Sequence, residues 1–171
     1  VLTFATAPDY ETKTSYTATV TASDGTNTVT QDITVNVTDA NDPPTFTSNA
    51  TFSAAENQTA IGTVTATDPE GDALSFTISG SDITIVSSTG LLEFASAPDY
   101  ETQTSYSATV TVSDGTNSVT QDITVNVTNV NDVAPEFTSD ATFSAAENQT
   151  AIGTVTATDA EGDTVTFTIS G

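Results

Sequence analysis

The sequence predicts an all-β chain of tandem, seven-stranded Greek-key β-sandwiches of immunoglobulin-like architecture. Three observations lead there: apolar residues alternate with period two, turn signals separate the alternating runs, and the pattern repeats along the chain. From Tyr106, the residues Tyr106, Ala108, Val110 and Val112 share one face while Ser107, Thr109 and Thr111 share the other. Further on, Ile123, Val125 and Val127 oppose Thr124, Asn126 and Thr128. Shorter alternating runs cover Ile61–Thr67, Leu74–Ile78, Ile83–Val86 and Leu91–Phe94. Such alternation, rich in β-branched residues, is the pattern of half-buried strands. The punctuation between them is turn chemistry: Asp114-Gly115, Glu70-Gly71-Asp72, and Ser88-Thr89-Gly90 ahead of Leu91. About seven short strands per repeat make an antiparallel sandwich.

The repeat is nearly exact. The stretch from Phe4 returns from Phe94, so that Asp9 matches Asp99 with a period of 90, and Glu56 matches Glu147 with a period of 91. The extra residue lies where DPPTF has become DVAPEF, and a length change is best tolerated at a junction between units. The expected division is therefore the C-terminal half of one repeat over 1–42, a complete repeat over 43–132, and the N-terminal half of the next over 133–171. Val1 falls in the middle of the pattern, so the expectation is a window on a longer tandem array with no signal peptide in view.

Composition excludes whole classes of chemistry. Without His or Cys there is no imidazole base, no thiolate and no zinc, haem or iron–sulfur ligation. One Lys against 23 acids gives a net charge of −22, which phosphate would repel, so nucleic acid is not an expected partner. No apolar run is long enough to cross a membrane, and no membrane contact is expected within this segment. With 36% hydrophobic and only 14% charged residues, the chain is too apolar for a disordered acidic tail and should fold.

The acids are unevenly placed. Seventeen of the 23 sit at strand ends in clusters that recur with the repeat, leaving Asp32, Asp82, Glu93, Asp122, Glu136 and Asp140 outside them. Unneutralised, such clusters repel one another and oppose compaction. An oxygen-only ligand set of Asp, Asn and main-chain carbonyls suits calcium, which takes six to eight oxygens, better than octahedral magnesium. The segment Asp159–Asp163 does not carry a full EF-hand loop.

Five motifs occur in the order and period of one known family. They are AEN at Ala55, DYE at Asp99, SDG at Ser113, DANDPP at Asp39 and ATDPEGD at Ala66. In these the chain resembles the cadherin repeat family over its whole length. The resemblance implies sandwiches joined end to end with about three calcium ions in each complete joint. At the first joint it implies Asp9, Glu11, Asn41 and Asp42 from upstream, and Asp68, Glu70, Asp72 and Asp114 from downstream, with Asp39 in the linker. At the second it implies Glu56, Asp99, Glu101, Asn131 and Asp132, then Asp159, Glu161 and Asp163. Asp24 would serve a joint further upstream and Glu147 one further downstream. The departures are Glu70 and Glu161 where the family's DxD motif has a second Asp, Pro43 or Val133 where Asn is common, and Asn129 in place of Asp39, which should weaken the second joint.

The resemblance implies a calcium-rigidified structural or adhesive module of an extracellular surface protein or secreted matrix fibre. Its expected partners are the adjacent repeats, with self-association into fibres or homophilic adhesion beyond them. Millimolar calcium outside cells suits sites of modest affinity. The alternative is direct homophilic or carbohydrate binding at an exposed strand edge. An enzyme is not expected: pairs such as Asp9/Glu11 and Asp99/Glu101 could be read as a glycosidase acid and base, but they recur in every unit and the chain has no Trp to line a sugar cleft. The Asn-Gln-Thr sequons at Asn57 and Asn148 stand beside the AEN glutamates, where a glycan would crowd an ion site.

Overall fold

The computed structural model describes residues 1–171 and contains no helix. Strands β1 (Ser15–Ser23) and β2 (Thr28–Asn36) form a hairpin. Then follow β3 (Thr45–Phe46), β4 (Thr51–Ala55), β5 (Ala60–Thr63), β6 (Ala66–Thr67), β7 (Ser75–Ile78), β8 (Ile83–Ile85), β9 (Leu91–Phe94), β10 (Ser105–Ser113) and β11 (Ser118–Thr128). The last two are β12 (Glu136–Phe137) and β13 (Ala157–Thr158).

Between Thr45 and Thr128 the strands form two facing layers. One sheet has four strands in the order β4-β11-β10-β7 and the other has three in the order β5-β9-β8. The inward-facing members of each alternating run meet between them. Ala54, Phe76, Val110, Val112, Ile123, Val125 and Val127 come from the four-stranded sheet, and Ile83, Leu92 and Phe94 from the three-stranded one, with Val64 closing the gap between β5 and β6. Leu92, Val64, Val110, Val112 and Val125 have no exposed surface. The outward positions of β10 and β11 pair across the strands as Ser107–Thr124, Thr109–Asp122 and Thr111–Thr120. This is the division of apolar and hydroxyl faces that the period-two pattern requires.

The sandwich departs from the expected one in two places. The run Ile61–Thr67 is not one strand: β5 pairs with β9, then the chain changes layer and β6 pairs with β3. Val64 lies at the change, its N–H donating to the Gly90 carbonyl at 2.9 Å. The sheet is also not wholly antiparallel, because β4 runs parallel to β11. The first edge of the repeat is divided between layers, β3 pairing with β6 and β4 crossing to lie beside β11 in the same direction. Neither two-residue ladder, β3–β6 nor β12–β13, is long enough to show a period in the sequence.

Hairpin β1–β2 has the register of β10–β11, residue for residue, with Val20 opposite Gln31 as Val110 is opposite Gln121. Val20 is 41% exposed where Val110 is fully buried. Thr142–Ala146 and Thr166–Ile169, the copies of β4 and β7, are not strands, whereas the originals pair with β11 and β10.

Candidate metal centre at the repeat joints

Three local structures build the second joint. The first is the turn after Pro98. Asp99 folds the chain back on itself by accepting the Thr102 hydroxyl on Oδ2 at 2.7 Å, and its carbonyl accepts the Thr102 and Gln103 amides at 3.2 and 2.9 Å. This turn brings Glu101 up beside Asp99. The second is the end of β4, where Glu56 is 3% exposed. Its Oε2 accepts the Tyr100 amide at 2.8 Å and its Oε1 the Val130 amide at 2.7 Å, so one buried carboxylate ties the Asp99 turn to the start of the linker. The third is the Asp159 turn of the following unit, in which Asp159 Oδ1 accepts the amides of Glu161 and Asp163 at 3.1 and 3.2 Å.

These turns converge across the linker. Carboxylate oxygens lie within 4.8 Å of one another in three sets: Glu56, Asp99 and Glu101; Glu101, Asp132 and Glu161; and Asp159, Glu161 and Asp163. Glu101 belongs to the first two and Glu161 to the last two, so the three sets are linked into one series from Glu56 to Asp163. The linker amides hold its downstream end: Asp132 and Val133 both donate to Glu161 Oε1 at 2.8 Å, and Asn131 Nδ2 donates to Asp163.

At the first joint Glu11, Asp42 and Glu70 form a single set of the same kind. The Asp42 amide donates to Glu70 Oε2 at 3.1 Å, and Asn41 Nδ2 donates to Asp114 Oδ2 at 2.8 Å. Asp68 Oδ1 accepts the amides of Glu70 and Asp72 at 3.1 and 3.0 Å, repeating the Asp159 turn.

The sequence-based assignments are thus only partly brought together. Asp9, Asp24, Asp39, Asp68, Asp72, Asp114 and Glu147 belong to none of the four sets. Asp9 spends its carboxylate on its own turn, accepting the Thr12 hydroxyl at 2.9 Å and the Glu11 amide at 3.1 Å. Asp24 does the same with the Thr26 and Asn27 amides at 2.9 and 2.7 Å. Two residues were missed. Asn57 Nδ2 donates to Asp132 Oδ2 across the joint, and Asn117 Nδ2 donates to the Asn41 carbonyl at 3.2 Å. The one available signal for Asn57 was its place directly after Glu56.

Charge is the dominant physical feature of these joints. Desolvation raises the Glu101 carboxyl above its ordinary range, and the charges of Glu56, Glu161 and Asp99 push it the same way against the pull of its own amide. Glu11 is also raised: its backbone N–H pulls downward, but desolvation, Asp9 and the charges of Asp39 and Glu70 outweigh it. Glu161 is held below its usual range by the amides of Asp132 and Val133, and Asp99 by the Thr102 hydroxyl. The single cation, Lys13, sits over the Tyr16 ring, 4.4 Å from its centroid. Amide donors therefore do what neutralising the protein itself achieves at these ends.

The residues fit a hard divalent cation. All donors are oxygen, and Asp68 Oδ2, Glu70 Oε1 and Glu161 Oε2 are shielded from solvent with no hydrogen-bond partner. A buried carboxylate oxygen without a partner is costly unless a cation or donor meets it.

A family profile described as "Bacterial Ig domain" matches residues 41–128. Among curated proteins, the chain is 34% identical over 176 residues to the mouse cadherin EGF LAG seven-pass G-type receptor 1, with 93% of the chain and 6% of the receptor covered. It is 39% identical over 125 residues to chitinase A of Pseudoalteromonas piscicida, covering 72% of the chain and 15% of that protein. The chain thus spans only a small part of either relative. Among solved structures, human protocadherin-24 EC1-2 superposes with a TM-score of 0.63 at 28% identity, covering 70% of the chain and 61% of that structure. With its two-layer sandwich and joint motifs alongside these likenesses, the chain belongs to the bacterial Ig domain family and is built of cadherin-like repeats.

Proposed function

We propose that the chain is a calcium-rigidified spacer within an extracellular surface or matrix protein, with repeats divided at 42/43 and 132/133 and ions held at the joints. Three overlapping carboxylate sets at the second joint carry this reading, since they span both units and share Glu101 and Glu161. Calcium bound there would supply the positive charge that the protein lacks. The chain's own residues do the rest: Asp99 and Asp159 form the turns, Glu56 fixes the linker entry, and Glu161 fixes its exit. About three ions at the second joint would offset most of the repulsion between facing ends, and ligands from both sides would lock the angle between units. Binding to the folded joint alone also stabilises the fold by mass action.

The cadherin and protocadherin likenesses support an extracellular, adhesion-type repeat with no catalytic role. The match to chitinase A covers 15% of that enzyme, which suits a shared accessory module. Self-association belongs to the same reading, since edge strands rich in Thr and almost free of Lys lack one common guard against lateral pairing.

The test is small-angle scattering and thermal melting across a calcium titration. Calcium should lengthen the particle and raise the melting temperature, and a chelator should reverse both. Asp132→Ala should reduce these responses, while Asp122→Ala, on the outer face where Asp122 accepts the Thr109 hydroxyl at 2.7 Å, should leave them intact. Curves that ignore calcium, or equal effects of the two variants, would reject the reading.

A further inference from the structure

We infer that Asn57 is a positioning residue for the linker, holding Asp132 in place from the upstream unit before any cation arrives. The inference rests on the metal-binding reading for its effect on calcium affinity, but its structural part stands without it.

Three observations lead to it. Asn57 has φ +63°, a left-handed conformation that few residues other than Gly tolerate and Asn tolerates best. Its amide N–H donates to the Pro98 carbonyl at 3.0 Å, which fixes it against the turn carrying Asp99 and Glu101. Its side-chain Nδ2 then reaches Asp132 Oδ2, 75 residues later. Asn148, its copy, has the same φ of +63° although its side chain makes no such bond. The conformation is therefore set locally by the Ala-Glu-Asn-Gln turn, and is not drawn out by the bond to Asp132.

The chemistry explains why an amide belongs here. Asp132 lies within 4.8 Å of Glu101 and Glu161, two further carboxylates, with no cationic side chain at hand. A neutral donor from a rigid turn offsets part of that repulsion and keeps Asp132 where a ligand is needed. Preorganisation of this kind lowers the ordering entropy that binding must overcome. It also gives the sequon at Asn57 a meaning: the nitrogen that a glycan would occupy is already used in the joint.

The experiment compares Asn57→Gly with Asn148→Gly in the 171-residue chain. Glycine accepts the left-handed φ, so both variants keep their turns and differ only in whether a linker contact is lost. In cation-free protein, Asn57→Gly should speed hydrogen exchange at the Val130, Asp132 and Val133 amides, and Asn148→Gly should not. In a calcium titration followed by scattering, Asn57→Gly should raise the midpoint for stiffening about tenfold, as expected for loss of one hydrogen bond to a charged group. Asn148→Gly should leave it in place. Equal exchange at the linker in the two variants would overturn the inference whether or not calcium binds. A wild-type chain insensitive to calcium, with linker exchange still responding to Asn57→Gly, would overturn the metal reading and leave the positioning role standing.

Discussion

Glu56 and Val130 lie 74 residues apart, yet Glu56 Oε1 accepts the Val130 amide at 2.7 Å while its other oxygen accepts the Tyr100 amide. Glu56 is 3% exposed, and its carboxylate joins the end of β4, the Asp99 turn and the linker in one contact. Replacing it removes two charge-assisted hydrogen bonds and leaves two amides without acceptors. Glu56→Ala should lower unfolding stability by about 2–4 kcal/mol. Glu56→Gln keeps one acceptor oxygen and should recover about half of the loss. Denaturant unfolding with calcium chelated measures both.

The raised carboxyl of Glu101 gives a pH dependence of known sign. A folded-state pKa above the unfolded one contributes stability that is complete below the unfolded value and is lost as pH rises through the folded value. Asp99 and Glu161, both lowered, act in the opposite sense, contributing above their unfolded values and losing the contribution as pH falls. Glu101→Gln isolates the first effect. In chelator at pH 7 the variant should melt above the parent, and the advantage should shrink as pH falls and vanish well below the ordinary Glu value of about 4.3, where Glu101 is protonated in both states. A parent equal to the variant at pH 7 would contradict the repulsion argument.

Gly90 is a point where backbone, not charge, decides. It has φ +72°, and a Cβ there would stand 2.1 Å from the Val64 carbonyl oxygen. The Gly90 carbonyl also accepts the Val64 amide, so the two segments cannot separate without losing that bond. Gly90→Ala should cost about 2–4 kcal/mol, from left-handed strain and the clash together. Thermal melting should show the loss in calcium and in chelator alike, which separates it from any effect at the joints.

Val110 is fully buried between the two sheets. Val110→Ala opens a void there and should cost about 2 kcal/mol, which chemical denaturation measures.

The long strands were legible because their evidence is local. Tyr106 to Val112 and Ile123 to Val127 alternate strictly, and both end in turn residues. The repeat is visible in the same way, since it places acids at equivalent positions one period apart. What could not be read was any feature that depends on which layer a short segment joins. Gly62, Val64 and Ala66 alternate with Thr63, Thr65 and Thr67 straight through the point where the chain changes sheet, and nothing in Thr51–Ala55 announces a parallel partner. Which carboxylates meet depends on the tertiary structure in the same way: Glu56 joins Asp99 and Glu101 in one set although more than 40 residues separate them. Asn57 was hidden because its role comes from a backbone angle, which residue type alone does not reveal.

The double membership of Glu101 and Glu161 bears on how such a rod would respond to its surroundings. A side chain that serves two neighbouring positions is ordered by the first occupant and waits, already oriented, for the second. Under the proposed reading the positions would fill cooperatively, giving a Hill coefficient above one. Rigidity would then switch on over a narrow range of calcium concentration, so that the array is either a chain of loose beads or a single beam, with little in between.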